Sequence, residues 1–178
     1  TAHIYEIEQP DVPLWAIWAL QQYAKETSKE ECLKKYGKFI KDVIRFIQDN
    51  KHPNLKLEDN GLLYTNGKEK AVTWMNSTAN GRPVVPRTGY IVEFNALWYN
   101  ALCFCASLAG VEGDEGKQQE LLAKAEVTKK SFLDTFLNEY GYLYDYVDGK
   151  MMDWSVRPNM IFPVAFDYCP LSQDQKKQ

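Results

Sequence analysis

Residues 73–102, TWMNSTANGRPVVPRTGYIVEFNALWYNAL, change character once, and that change decides the fold. The segment GRPVVPRTG, residues 81–89, holds two prolines and two glycines and cannot be helix. From residue 92 to residue 109 the chain is apolar at Val92, Phe94, Leu97, Trp98, Leu102, Phe104 and Leu108. Apolar residues on nearly all sides predict a helix enclosed by protein, which Gly110 is expected to end. Trp74 and Trp98 bracket Arg87, Glu93 and Asn95, and Tyr99 follows at once. That mixture suits a sugar, whose C–H faces stack on aromatic rings while its hydroxyls need amide, carboxylate and guanidinium partners.

Moving outward, residues 12–25 carry Leu14, Trp15, Ile17, Trp18, Leu20 and Tyr23 and predict a second enclosed helix. Ser28 and Glu31 form a capping-box pattern before a helix with one apolar face, Leu33, Tyr36, Ile40, Val43, Ile44 and Ile47. Residues 52–91 lose helical period, with short strands expected at 62–64 and 71–74. An irregular stretch this long inside a domain is functional or disordered, and its Trp and Tyr residues argue against disorder. Residues 117–138 are amphipathic again, through Leu121, Leu122, Ala125, Phe132, Leu133, Phe136 and Leu137. A hairpin is expected around Asp148-Gly149, then a helix opened by Pro158 and a last polar helix capped by Ser172. The order enclosed, surface, loop, enclosed, surface predicts an all-α fold of two concentric helix layers, with short β-hairpins and chemistry on the long connections.

Composition narrows the function. Lys+Arg 21 against Asp+Glu 24, a net charge of -3 and no long run of either sign argue against nucleic acid. No stretch reaches the ~18 uninterrupted apolar residues of a membrane span, since residues 96–109 are broken by Asn100. No signal peptide pattern is visible from Thr1, and the four cysteines, without a C-x-x-C, point to a reduced, cytoplasmic protein. Two histidines and this cysteine spacing do not make a zinc site, and neither metal nor cofactor is expected. Cys103 and Cys105, two apart on a helix, point in different directions, which disfavours a bridge between them.

Four ordered blocks carry a family resemblance along the chain. PDVPLWAIW resembles a D-x-x-L-W-F-I helix start; TWMN followed by the PR-G-x-x-V-E turn and NALWYNAL resembles a TWMD signature. GYLYDYVDG and SVRPNMIF resemble G-Y-L-Y-D and I-R-P-N-Q-I-F segments. Together they are similar to the amylo-α-1,6-glucosidase domain of glycogen debranching enzymes. The resemblance implies a partial (α/α)6 toroid, about half the barrel, with residues 1–178 a single incomplete domain. It implies hydrolysis of the α-1,6-linked glucose stub at a glycogen branch, with glycogen or limit dextrin as partner. Such hydrolysis needs a carboxylic acid at the leaving oxygen and, for inversion, a second carboxylate that activates water. The family acid is the aspartate of TWMD, and Asn76 stands there in this chain. An amide hydrogen-bonds a glycosidic oxygen without protonating it. The family's base is expected in a later segment, so the chain alone is expected to be inactive. The rival expectation is a non-catalytic α-glucan-binding descendant, and a third is a helical scaffold whose aromatic loop packs internally.

The residues that the resemblance places at substrate are Asp11, Trp15, Trp74, Arg87, Glu93, Asn95, Trp98, Tyr99, Asp145, Arg157 and Asn159. Each has a plainer reading beside it. Asp11 suits a helix cap, Trp15 and Trp98 suit core packing, and Glu93 suits a helix N-terminus. Asp145 and Arg157 suit a structural ion pair across the hairpin. Half a toroid exposes the faces its other helices would cover, so a homodimer is expected.

Overall fold

The computed structural model describes residues 9–177. Helices α1 (Val12–Glu26) and α2 (Lys29–Gln48) are followed by α3 (Val92–Glu112), α4 (Glu115–Phe136) and the short α5 (Ile161–Ala165), and the chain is mostly helical. Helix α3 is the centre. From Val92 to Ala106 every residue is buried, polar Glu93, Asn95 and Asn100 included. Helices α1, α2, α4 and α5 all pack against it. By length and composition α3 would cross a membrane, but 83% of its most apolar window is buried inside the fold, which is the surrounding of a core helix.

The surface helices follow the sequence pattern. Ser28 Oγ accepts from Glu31 N at 3.1 Å, and Cys32, Ile40, Ile44 and Ile47 turn one face of α2 inward. Asp114 caps α4 by accepting from Lys117 N, and Leu121, Ala125, Phe132 and Phe136 form its buried stripe. Two expectations are corrected here. Helix α3 runs past Gly110 and ends at Gly113, whose left-handed φ of 75° suits a glycine cap, because Gly110 is carried within the helix. Helix α1 is not enclosed among the described residues. Only Leu14, Ile17, Gln21 and Ala24 are buried, at spacings of three and four, while Trp15, Trp18 and Leu20 are partly covered.

Strands of the irregular stretch, the expected one near 62–64 among them, join the later hairpin in one sheet. Strands β1 (Lys56–Leu57), β2 (Leu63–Thr65), β5 (Gly89–Ile91), β6 (Tyr146–Asp148) and β7 (Met151–Met152) pair antiparallel in the order β1-β2-β5-β6-β7. A separate small hairpin joins β3 (Thr78–Ala79) to β4 (Arg82–Pro83). The helical layer is therefore accompanied by a five-stranded sheet, in which β5 joins the local pair β1-β2 to the local pair β6-β7 across distant sequence. Residues 71–74 form no strand, since Trp74 and Met75 are held by turns and side chains instead. The expected hairpin is present as β6 and β7, with Asp148 facing Met151 across the turn. Pro158 opens a single 3-10 turn, Pro158–Met160, before α5. Ser172 Oγ accepts from Gln175 N, capping one 3-10 turn rather than a longer helix.

Gly89 is where the sheet tolerates no side chain. Its φ is +88°, and a Cβ there would lie 2.3 Å from the Val147 carbonyl oxygen on the paired strand. Gly113 shares the left-handed backbone, but a Cβ there meets nothing within 4 Å. Gly113→Ala should therefore lower stability by about 1 kcal/mol, the backbone effect alone. Gly89→Ala should lower it by about 3 kcal/mol or more, because it also breaks the strand pairing. Urea unfolding of the two variants checks the difference, and equal losses would refute the close approach.

Candidate functional site

One strand pairing assembles the site. Strand β5 runs straight into α3, so Arg87, just before the strand, and Glu93, in the first helical turn, flank it six residues apart. Strand β6 pairs with β5 through Ile91 and Tyr146, and Val92 N donates to Asp145 O at 3.2 Å. Asp145 thus reaches Arg87 from 58 residues away in sequence.

The result is a buried charge cluster. Arg87 donates through Nη1 and Nη2 to the two oxygens of Glu93, the second at 2.6 Å. Its Nε and another Nη2 contact reach Asp145 Oδ2 and Oδ1, each at 2.9 Å. All three side chains are at most 1% exposed. Two carboxylates against one guanidinium leave a negative excess, which Arg157 answers from the partly exposed side through Nη1 to Asp145 Oδ2 at 2.6 Å. Arg157 also meets Asp153 at 3.1 Å. Burial pulls the Arg87 pKa down, yet bonds to Glu93 and Asp145 outweigh it and hold the group above its ordinary value. Burial pushes the Glu93 carboxyl up, with Arg87 acting against it. At Asp153 burial is overcome by hydrogen bonds from Ser155 and Arg157, and the carboxyl titrates below its usual range.

The TWM box is tied to this cluster through one amide. Buried Asn159 donates to Asp145 Oδ1 at 2.6 Å, and its Oδ1 accepts from Trp74 Nε1 at 2.8 Å. Half of Trp74 remains exposed, and Asn76, two residues on, is exposed as well. Position 76, where the resemblance puts the acid, is thus a surface position next to a fixed indole.

Asp11 is not a side-chain cap of α1. Its Oδ2 accepts from Trp15 Nε1 at 3.0 Å, Oδ1 is buried with no hydrogen-bond partner among the described residues, and burial raises the pKa. Trp15 packs edge-on against Trp18, Phe162 and Phe166. Other residues face the core. Asn95 accepts from Leu63 N and donates to Leu63 O and Ile91 O, so its amide clamps β2 onto α3. Trp98 is 1% exposed and borders the α4 side with Leu102 and Thr128. Tyr99 is buried beside Cys103, and burial raises its pKa. The structure therefore brings together Arg87, Glu93, Asp145, Arg157, Asn159 and Trp74, and gives Asn95, Trp98 and Tyr99 packing or clamping positions. The cysteines are free, and burial pushes the Cys105 thiol up to about 12. A cleft of about 240 Å³ between α2, α3 and α4 is lined by Ile40, Ile44, Leu108 and Leu121 and by none of the candidate residues.

The sequence reading overlooked two features. Asp153 shares Arg157 with Asp145, and the four-residue spacing within the hairpin was its only local signal. Tyr140, Tyr142 and Tyr144 gather around Trp154, with ring centroids 6.1, 6.4 and 4.7 Å from it; the expected hairpin was their only signal.

The irregular loop of this mostly helical domain thus holds a half-exposed indole next to a buried ionic cluster. The family model for amylo-alpha-1,6-glucosidase matches residues 5–178, and the chain belongs to that family. No curated protein and no solved structure matches the chain.

Removing the central guanidinium tests the cluster. Arg87→Met leaves two buried carboxylates facing each other and should destabilise the protein by about 3–5 kcal/mol. Arg157→Met, at a partly exposed position, should cost about 1 kcal/mol. Chemical denaturation that ranks the two in the opposite order would refute the central role of Arg87.

Proposed function

We propose that this chain is a glucan-binding part of a glycogen debranching domain that acts on α-1,6 branch points, and that it is inactive alone. The family match over residues 5–178 carries the reading, and the family's substrate is an α-glucan. Around the TWM box two groups suit a glucosyl unit: the half-exposed Trp74 ring and Arg157 at the edge of the cluster. Asn76 lacks the proton that a general acid must deliver, and such a loss typically lowers rate by ~10²–10⁴. A non-catalytic glucan-binding role is the second reading, favoured by the exposed amide at position 76.

The architecture we propose is part of an (α/α)6 toroid, with α1 and α3 as inner and α2 and α4 as outer helices. On this reading the partly covered face of α1, with Trp15, Trp18 and Leu20, would lie against further protein, since an inner helix needs protein on both sides. Tyr140, Met151, Trp154, Val156 and Ile161 are exposed apolar residues of the kind that further helices or a second copy would cover.

Calorimetry should give saturable heat for the chain with maltotetraose, and assays on branched limit dextrin should release no glucose. Glucose release with Asn76 in place would move the acid to another residue, whereas absent heat would sink the binding reading. A longer protein containing this chain separates the two readings: debranching by it supports the enzyme, and binding without debranching supports the descendant. Sedimentation velocity at high concentration should show a dimer, and a monomer there would count against a self-covering face.

A further inference from the structure

Trp74 lies on a segment that no strand holds. Among the described residues its backbone hydrogen bonds are local, Asn76 N to Trp74 O at 3.0 Å and Met75 N to Thr73 Oγ1 at 3.2 Å, while Val72 and Thr73 just before it are buried. Half of the ring is in solvent, so packing orients it weakly. What fixes the indole in angle is the hydrogen bond from Nε1 to Asn159 Oδ1 at 2.8 Å.

Asn159 can make this bond in one orientation only. Its Nδ2 donates to Asp145 Oδ1 and touches Met75 Sδ at 3.4 Å. A flipped amide would set an oxygen against the carboxylate and an N–H against the indole N–H, two repulsive contacts in place of two bonds. Asp145 is itself oriented by Arg87 and Arg157. Orientation is therefore handed from Arg87 to Asp145, to Asn159 and to Trp74, from the core to the surface. Because the single indole donor is used inside the protein, Trp74 offers a ligand its ring face and no hydrogen bond.

We propose that Asn159 is a positioning residue, buried away from ligand, that holds Trp74 as a flat stacking platform for the C–H face of a glucosyl ring beside position 76. The platform rests on the glucan reading above; the anchoring does not. Asn159 thereby leaves the set of residues that touch sugar and acts through the indole.

Two measurements test it. In ¹⁵N spectra the chain shows five indole signals, one per tryptophan, and the signal absent from Trp74→Phe is that of Trp74. Asn159→Ala should shift that signal and speed its exchange with water, and an unchanged signal overturns the anchoring. Maltotetraose calorimetry on Trp74→Phe, Asn159→Ala and the double variant forms a cycle. Each single change should weaken binding about 2- to 10-fold, the worth of one hydrogen bond. The double variant should lose no more than the weaker single, because both remove the same bond. Multiplicative losses, or a loss in Asn159→Ala with none in Trp74→Phe, overturn the proposal by making Asn159 a ligand contact. Trp74→Phe changes an exposed side chain and keeps the aromatic face, so it remains informative if Asn159→Ala fails to fold. A wild-type chain that binds no maltotetraose while its indole signal responds as expected overturns the glucan platform and retains the anchoring.

Discussion

The buried guanidinium of Arg87 is the constraint on which the rest depends. A cation out of water is tolerated only where partners saturate it, and here two carboxylates supply four of its bonds from Glu93 and Asp145. One carboxylate is fixed by the start of α3 and the other sits just before β6, beyond one further helix, α4. Their meeting thus requires the start of α3, the β5–β6 pairing and the loop of Arg87 to be in place together. The cluster works as a register pin for the sheet as much as a site.

Its charge excess explains the next layer outward. Two anions and one cation leave Asp145 able to accept from Arg157 and Asn159, and both sit on the segment that leads into α5. That segment is therefore docked on the inner side of the fold, and through Asn159 the TWM box is docked on it. Burial, charge balance and surface presentation form a single chain of contacts. The polar residues inside α3 follow the same logic, each with a defined partner: Asn95 serves strand β2, and Asn100 joins Gln21 of α1 to Tyr168.

Helices were legible because their information is local. The apolar spacing of α2 and α4 and the Ser28 cap need only neighbouring residues to be read, and α3 announces its burial by having no polar face. The sheet was legible only in part: a strand near 62–64 and the hairpin at Asp148-Gly149 show in the sequence, while the pairing of β5 with β2 and β6 lies in distant contacts. Gly110 misled for a related reason: a glycine is a stop only where the backbone turns left-handed, and that happens at Gly113. The candidate site was read from motif resemblance, which selects residues without ranking their roles. Asp11, Asn95, Trp98 and Asn159 were grouped with Trp74, although hydrogen bonding and burial divide them into clamp, core, anchor and surface.

By itself the sequence determined the family, the helices with their faces, and the amide at position 76, since these reside in residue identity and short-range periodicity. Tertiary structure alone decided that Arg87 meets Glu93 and Asp145, which side of α1 is covered and which tryptophans reach solvent. The physical reason is that desolvation and hydrogen-bond saturation act on neighbours in space. Arg87, Asp145 and Asn159 become neighbours only when β5 and β6 have paired.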